Sequence, residues 1–191
     1  RNEDTVKDIL KLSNEIANLS DEAFVALKSQ TTESKKRLLP PKISKRIFIV
    51  HGLNNGIKES TARFLEKLEL NPIILHEQPN KGRTIIEKFT DYADVGFAVI
   101  ILTTDDIGGI AGTKYEELSM RARQNVILEL GYFLGKIGRQ RVCALYQEGV
   151  EIPSDYSGVL FIKLDERGAW RIELAKEIKA AGIDVDMNKA I

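Results

Sequence analysis

Residues 95–102 read VGFAVIIL, an unbroken run of uncharged, mostly apolar residues between Asp94 and Thr103. A run of this length without polar alternation is typical of a strand that is buried on both faces of a parallel sheet. Shorter apolar runs occur on both sides of it, and we predict a strand at each. They are RIFIV (46–50), PIILH (72–76), RVCALY (141–146) and VLFIKL (159–164).

Between these runs, hydrophobic residues recur at the three- to four-residue spacing of a helix. The longest such segment predicts a helix from about Arg121 to Ile137 that ends at Gly138. Strands that alternate with helices are typical of a parallel sheet covered on both faces. The sequence therefore predicts an α/β, flavodoxin-like, doubly wound domain over residues 45–191, with a sheet of about five parallel strands.

Residues 1–44 have a different character. Residues 1–34 carry a net charge of −3 and show helical spacing, whereas residues 35–46, KKRLLPPKISKR, carry +6 and contain two consecutive prolines. Proline ends a helix, so residues 1–44 are predicted to be an N-terminal helical arm and a basic linker. The arm packs on its own domain or on a neighbour, or it is the end of an upstream module. Because residue 1 is arginine, we expect the chain to be part of something longer.

The overall composition argues against several classes of partner. The chain has 28 basic and 28 acidic residues, so it has no global field that would hold a nucleic acid or an anionic membrane. No apolar run approaches the roughly 20 residues that span a bilayer, and no signal segment opens the chain. A single cysteine excludes an internal disulfide and makes a zinc site implausible. We expect a cytoplasmic protein.

Polar loops follow the first three predicted strands, at the edge of the sheet where open α/β folds bind ligands. His51 and Gly52 follow the first strand and are candidates for close contact with a ligand. Asp105 follows the third strand, and its role is either a ligand contact or a loop cap. Asp105 and Asp106 are adjacent, and adjacent side chains on an extended segment point to opposite faces, so we predict no metal site.

The loop after the second strand ends in Lys81-Gly82-Arg83-Thr84, where a helix is predicted to begin. Free backbone N–H groups at a helix start favour an anion, and two cations and a hydroxyl add to that preference. Gly82, Arg83 and Thr84 are therefore candidates for phosphate contact. An ordinary capped loop accounts for the same residues equally well.

The long helix holds the most prominent single carboxylate. Glu129 lies at the border of its buried stripe, in line with Asn125 one turn earlier and Phe133 one turn later. Partial burial raises the pKa of a carboxyl group unless a partner compensates. Glu129 is thus either a catalytic carboxylate or one half of a structural ion pair with Arg123 or another cation.

Five segments together resemble a known family, the predicted nucleotide-binding TIR-like domain, a bacterial branch of the Toll/interleukin receptor fold. They are IFIVHG (47–52), LHEQPNKGRTIIEKF (75–89), DVGFAVIILTTDD (94–106), RARQNVILELGYFLGKIGRQRVCALY (121–146) and EIPSDYSGVLFIKLD (151–165). Such domains are assembly-activated effectors of antiphage defence that cleave NAD⁺ at the nicotinamide bond. Some are fused to STING-type sensors of cyclic dinucleotides, and others respond to cyclic mononucleotides.

The resemblance implies that Glu129 is the catalytic glutamate of an NAD⁺ glycohydrolase, with NAD⁺ as substrate and no separate cofactor. Arg83 and Arg123 are then candidates for the diphosphate, and Asn125 orients the carboxylate or the ribose, or only bonds within the first helical turn. The resemblance also implies a homo-oligomer built through TIR–TIR contacts and an upstream sensor or partner. Two alternatives stay open: a nucleoside deoxyribosyltransferase-like enzyme, and a non-enzymatic nucleotide-binding or assembly module.

Overall fold

The apolar runs of the sequence pair into one parallel sheet in a computed structural model of the chain, which describes Lys11 and residues 43–79, 81–154 and 158–191. The strands are β1 (Arg46–Val50), β2 (Asn71–Ile74), β3 (Phe97–Leu102), β4 (Asp106–Gly108), β5 (Ser119–Arg121), β6 (Val142–Tyr146), β7 (Val150–Glu151) and β8 (Leu160–Lys163). The main sheet has the order β2-β1-β3-β6-β8, and all its neighbours are parallel. The predicted five-stranded, flavodoxin-like sheet is confirmed.

Four helices cover the two faces of this sheet. They are α1 (Asn55–Lys67), α2 (Ile85–Tyr92), α3 (Gln124–Ile137) and α4 (Trp170–Ala180). Helices α1 and α4 share one hydrophobic cluster with alternate residues of the strands, whereas α2 and α3 share the other. Because strand side chains alternate between faces, every residue of β3 contributes to one of the two clusters. The doubly wound prediction is therefore confirmed as well.

The N-terminal arm and most of the basic linker predicted for residues 1–44 lie outside the described residues, apart from Lys11. The described part from Ile43 to Ile191 belongs to one compact unit. Cys143 and Trp170 are both buried in the cluster that α1 and α4 share with the sheet. Burial raises the pKa of the Cys143 thiol well above its usual range.

A second, small sheet was not predicted. Strands β4, β5 and β7 form it in the order β4-β5-β7, with β4 antiparallel and β7 parallel to β5. The long helix consequently begins at Gln124, three residues later than the predicted start at Arg121, which lies in β5. The Arg121 guanidinium donates two hydrogen bonds to Glu151 on β7, at 2.7 and 3.1 Å. These bonds join the two strands and keep Arg121 in an extended segment.

One glycine is required where the chain enters β3. A methyl group at Gly96 would lie 1.9 Å from the Ser44 carbonyl oxygen, which is part of the backbone and has little freedom to move. Gly135 on α3 is exposed, and a methyl group there would meet nothing within 4 Å. The fold therefore requires a glycine at position 96 but has room for a side chain at position 135.

We expect Gly96→Ala to destabilise the protein by about 1–3 kcal/mol, because the added methyl group forces the backbone apart. Gly135→Ala is the matched control, and we expect it to stabilise the protein by about 0.5–1 kcal/mol through helix propensity. Urea unfolding, followed by the fluorescence of Trp170, measures both free energies. Equal midpoints for Gly96→Ala and the unchanged protein would show that the contact with Ser44 is not tight.

Candidate active site

A cavity of about 430 Å³ lies at the carboxyl ends of β1 and β2, between the starts of the covering helices. Its lining comes from β1, the short 3₁₀ turn after β2, α2 and α3. The lining residues are Phe48, Ile49, His51, Leu75, His76, Ile85, Lys88 and Glu129. This position is the one at which open parallel sheets bind ligands.

Three aromatic rings, from β1, α2 and α3, contact one another beside the cavity. The Phe48 ring on β1 lies 5.5 Å from the Phe89 ring on α2 and 4.9 Å from the Phe133 ring on α3, measured between centroids. The Phe89 and Phe133 rings are 5.6 Å apart and nearly perpendicular. The contacts of Phe89 with the other two rings are edge-to-face and the Phe48–Phe133 contact is tilted, and aromatic contacts of this kind hold both helices against the same strand. Glu129 lies one helical turn before Phe133 and therefore reaches the cavity.

Glu129 is partly buried in this cavity. Within residues 43–79, 81–154 and 158–191, no cation pairs with its carboxylate and no donor bonds it. The ion pair with Arg123 that the sequence left open is thus not formed in the described part of the chain. Burial without a partner raises the pKa of the Glu129 carboxyl group to about 7. The carboxyl group is therefore poised to change its charge near neutral pH.

His51 and His76 also line this cavity. The Nδ1–H of His51 donates to the Gly52 carbonyl oxygen at 2.8 Å, and His51 Nε2 lies 3.2 Å from His76 Nδ1. The two rings are nearly perpendicular, with centroids 5.1 Å apart. Burial lowers the pKa of His51, and the hydrogen bond to Gly52 offsets this only in part. His51 therefore lines the cavity, and Gly52 accepts its hydrogen bond. The ligand contacts predicted for these two residues stay predictions.

Two lysines lie under the cavity although lysine is rarely buried. Lys58 on α1 is 4% exposed, and its ammonium lies 3.2 Å from His76 Nε2 and 3.0 Å from a Glu59 carboxylate oxygen. Lys88 on α2 is 5% exposed and lines the cavity. Neither lysine was predicted from the sequence to belong to the site. For Lys58 a signal existed, because it precedes Thr61, Ala62 and Leu65 at helical spacing on the buried face of α1.

Asp105 does not line this cavity. Its carboxylate accepts hydrogen bonds from the Leu53 backbone N–H at 3.1 Å and from the Thr103 hydroxyl at 2.7 Å. A methyl group at Gly52 would meet the same carboxylate oxygen at 1.7 Å. Asp105 thus fixes the loop that carries His51, which agrees with the loop-cap alternative. Its other side faces a second, open cavity of about 800 Å³ that includes Arg121 and Glu151.

The Lys81–Thr84 segment forms a capped helix start. The Thr84 side chain accepts from the Glu87 backbone N–H, and the Glu87 carboxylate accepts from the Thr84 backbone N–H, which is a capping box. The Arg83 guanidinium pairs with Asp91 and lies 5.8 Å from the centre of the Tyr92 ring. Gly82 adopts a φ of +72°, a conformation that favours glycine. Phosphate contact at Gly82, Arg83 and Thr84 stays a prediction.

Arg123 and Asn125 lie at the start of α3 and are exposed. Neither lines the cavity that contains Glu129. Asn125 is one turn before Glu129 on the same face of the helix. The roles predicted for these two residues, contact with a diphosphate and orientation of a ribose, stay predictions.

The described residues contain neither a metal-binding cluster nor a membrane-spanning helix. No group of three or more histidine, cysteine, aspartate or glutamate side chains is placed to hold a metal ion in this part of the chain. No helix within it has both the length and the apolar character needed to cross a membrane.

Comparison with known sequences identifies the class of protein. Residues 46–166 match the family described as "CAP12/Pycsar effector protein, TIR domain". The match covers more than half of the chain and includes β1, both histidines and Glu129. The chain therefore belongs to the CAP12/Pycsar effector TIR-domain family, and the resemblance stated from the sequence is confirmed.

Individual relatives place the chain more closely. It is 47% identical over 150 residues to the uncharacterised protein YuaY of Escherichia coli. The matched stretch is 78% of this chain and 50% of YuaY. Protein tirC of Dictyostelium discoideum is 34% identical over 131 residues, 63% of this chain and 65% of tirC. The Pycsar effector protein BcPycTIR of Burkholderia cepacia is 40% identical over 79 residues, 40% of this chain and 24% of BcPycTIR. The chain thus spans less than two thirds of each of these relatives.

The raised pKa of Glu129 predicts how stability depends on pH. The folded protein binds this proton more tightly than the unfolded chain does, so the free energy of unfolding falls as pH rises from about 4.5 to about 7. Glu129→Gln removes this loss. We compare the free energy of unfolding of the variant with that of the unchanged protein at each pH. We expect this difference to favour the variant by about 2 kcal/mol more at pH 8 than at pH 5.

Urea unfolding at the two pH values measures this difference, with Glu66→Gln as the control because Glu66 is an exposed glutamate on α1. The control should show the same change from pH 5 to pH 8 as the unchanged protein. A Glu129→Gln variant with that same change would mean that the Glu129 carboxylate is solvated and not desolvated.

Proposed function

We propose that the chain is an NAD⁺ glycohydrolase that acts as an effector in antiphage defence, and that Glu129 is its catalytic residue. The observation that carries the proposal is the Glu129 carboxyl group, which lies partly buried in a cavity without a partner among the described residues. Perturbed carboxyl groups in cavities are typical of catalytic sites. Family membership supports the effector role, since relatives carry the name Pycsar effector protein.

A single carboxylate is sufficient for this reaction. Ordinary glycoside hydrolysis uses two, because the leaving oxygen must be protonated. In NAD⁺ the leaving group is a pyridinium. When the C–N glycosidic bond breaks, its electron pair moves to the ring nitrogen and nicotinamide leaves neutral. Water then adds to the ribose carbon and releases a proton to solvent, giving ADP-ribose; attack by another group of the same molecule gives a cyclised form.

The protein's task is therefore to stabilise positive charge on the ribose as the bond breaks. An ionised Glu129 does this electrostatically, and its low-dielectric surroundings strengthen the effect. The two histidine rings line the same cavity as Glu129, and Ile85 adds an apolar surface. The cavity volume of about 430 Å³ lies in the range of sites for small ligands, about 300–1,000 Å³. We assign the nicotinamide and its ribose to this cavity, with Arg83 and Arg123 as the candidates for the diphosphate outside it.

Activation is part of the proposal. Matched relatives include proteins named CD-NTase-associated protein 12, and the chain spans about a fifth of them. We propose that an upstream sensor or partner that responds to a cyclic nucleotide brings several copies of this domain together through TIR–TIR contacts. Continuous NAD⁺ cleavage would deplete the cell, so a requirement for assembly is expected of an enzyme of this kind.

The first test of the activity is nicotinamide release from NAD⁺ by the purified chain, concentrated or crowded to favour assembly. We expect Glu129→Gln to lower turnover by at least about 100-fold, because it removes the charge that stabilises the transition state. Glu66→Gln should cleave NAD⁺ at the rate of the unchanged protein. Equal turnover by the unchanged protein and Glu129→Gln would contradict the role of Glu129.

Two further measurements distinguish the alternative functions from the glycohydrolase. Nucleotide binding in calorimetry without cleavage under every assembly condition would favour a non-enzymatic module. A covalent deoxyribosyl adduct on Glu129 after incubation with a deoxynucleoside would favour a deoxyribosyltransferase-like enzyme.

The pH dependence gives a second test, because only the ionised form of Glu129 stabilises positive charge. With a pKa of about 7 in the free enzyme, kcat/KM should rise with pH and level off above about pH 8. At pH 6 we expect about one tenth of the plateau value. Initial rates of nicotinamide release between pH 5.5 and 8.5 measure this profile. A profile that is flat or falls over that range would mean that an ionised Glu129 is not required.

A further inference from the structure

The two histidines of the chain belong to one line of hydrogen bonds that begins at a buried lysine. Lys58 Nζ lies 3.2 Å from His76 Nε2, His76 Nδ1 lies 3.2 Å from His51 Nε2, and His51 Nδ1 lies 2.8 Å from the Gly52 carbonyl oxygen. The four groups come from α1, the turn after β2 and the loop after β1. The two histidines in the middle of this line belong to the lining of the cavity that contains Glu129.

The two ends of the line fix the direction of every hydrogen bond in it. A carbonyl oxygen only accepts, so His51 Nδ1 must carry a hydrogen and donate to Gly52. An ammonium group only donates, so His76 Nε2 must accept from Lys58. A neutral His76 then carries its hydrogen on Nδ1 and donates it to His51 Nε2. Both rings are thereby fixed as the neutral Nδ1–H tautomer.

This arrangement has no place for an extra proton. A proton on His76 Nε2 would face the Lys58 ammonium. A proton on His51 Nε2 would face the Nδ1–H of His76, and reversing His76 would again direct an N–H at Lys58. Every added proton therefore produces two donors in contact, and one hydrogen bond must break.

The other charged groups around the rings do not replace Lys58 in this role. A Glu59 carboxylate oxygen lies 3.0 Å from the Lys58 ammonium and forms an ion pair with it. A Glu77 carboxylate oxygen is 3.8 Å from His76 Nε2, beyond hydrogen-bond distance. Lys88 and Glu129 face the cavity from α2 and α3. Among these groups of the described chain, Lys58 and Gly52 alone terminate the line of hydrogen bonds.

We propose that Lys58 is a positioning residue that acts through His76 to hold His51 as a neutral ring with a fixed tautomer, and that this favours substrates whose leaving group is a cationic ring. The inference rests on the proposed function, because it concerns the same cavity. A protonated His51 would repel a pyridinium in the same cavity. A neutral aromatic ring instead contacts a cationic ring favourably.

The direct test is ¹⁵N nuclear magnetic resonance of the full chain labelled at histidine. The chain has 2 histidines, so the spectrum contains one pair of ring-nitrogen signals, Nδ1 and Nε2, for each of two rings. At pH 7.5 we expect both rings to be neutral with the hydrogen on Nδ1. In Lys58→Met the donor is lost while the length of the side chain is kept. There we expect the Nε2–H tautomer to appear on His76 and the pKa of His51 to rise.

Controls keep this test decisive. Lys67→Met changes another lysine of α1, one that donates to the Ile191 carbonyl oxygen, and should leave both tautomers unchanged. Lys58→Arg keeps a group that only donates and should restore the tautomers. An Nε2–H tautomer on either ring of the unchanged protein, or unaltered tautomers in Lys58→Met, would overturn the proposal. The spectrum of the unchanged protein alone provides this test even where Lys58→Met does not fold.

The activity measurement separates this inference from the proposed function. If the chain cleaves NAD⁺, Lys58→Met should lower kcat/KM about tenfold more at pH 6 than at pH 8, and Lys58→Arg should restore most of it. An identical loss at both pH values would overturn the link to substrate charge while leaving the glycohydrolase intact. Fixed tautomers without any NAD⁺ cleavage would overturn the proposed function while leaving the geometry around Lys58 intact.

Discussion

Burial of β3 on both faces is the constraint on which the rest of the structure depends. Each of its six residues is at most 1% exposed, and it pairs with β1 on one side and β6 on the other. A strand of this kind is stable only when helices cover both sides of the sheet, because each apolar side chain contributes roughly 25 cal/mol per Å² removed from water. Parallel pairing then places the carboxyl ends of β1, β2 and β3 at one edge. The cavity, the histidine pair and the Asp105 loop all lie at this edge.

The same packing accounts for the state of Glu129. Val126, Leu130 and Phe133 hold α3 against the sheet, and Glu129 lies beside them on the helix. Its carboxyl group therefore loses water without gaining a partner in the described part of the chain. A pKa near 7 corresponds to a cost of about 3 kcal/mol for the ionised form, a large share of a total stability of about 5–15 kcal/mol. Functional sites characteristically contain a destabilised charge of this kind, which no ion pair or hydrogen bond offsets.

The sequence allowed the main sheet and Glu129 to be predicted, because both depend on local patterns. An eight-residue apolar run between polar residues strongly favours a buried strand, and helical spacing alone places Glu129 at the edge of the core. The small sheet was missed because its strands have two or three residues, too few for any period to appear. The role of Lys58 depends on its meeting a histidine 18 positions away in another loop, and no local pattern encodes that distance. The bond from Leu53 to Asp105, 52 positions apart, was hidden for the same reason.

The charge balance of the chain has a different meaning at the scale of the cavity. With 28 charges of each sign, the protein exerts no long-range attraction on an anionic or a cationic substrate. Discrimination between substrates of different charge must therefore occur inside the cavity. There the dielectric is low, and each charge has a large effect over a few ångströms. In the proposed reaction positive charge moves from the pyridinium to the ribose, so each cation of the cavity affects the step. Lys88 lines the cavity directly. Lys58 carries such a charge, yet it is buried under α1 and paired with Glu59, and it faces the cavity only through two neutral rings. Lys58 thus determines which nitrogen donates in each hydrogen bond of the line, while its own charge stays outside the cavity.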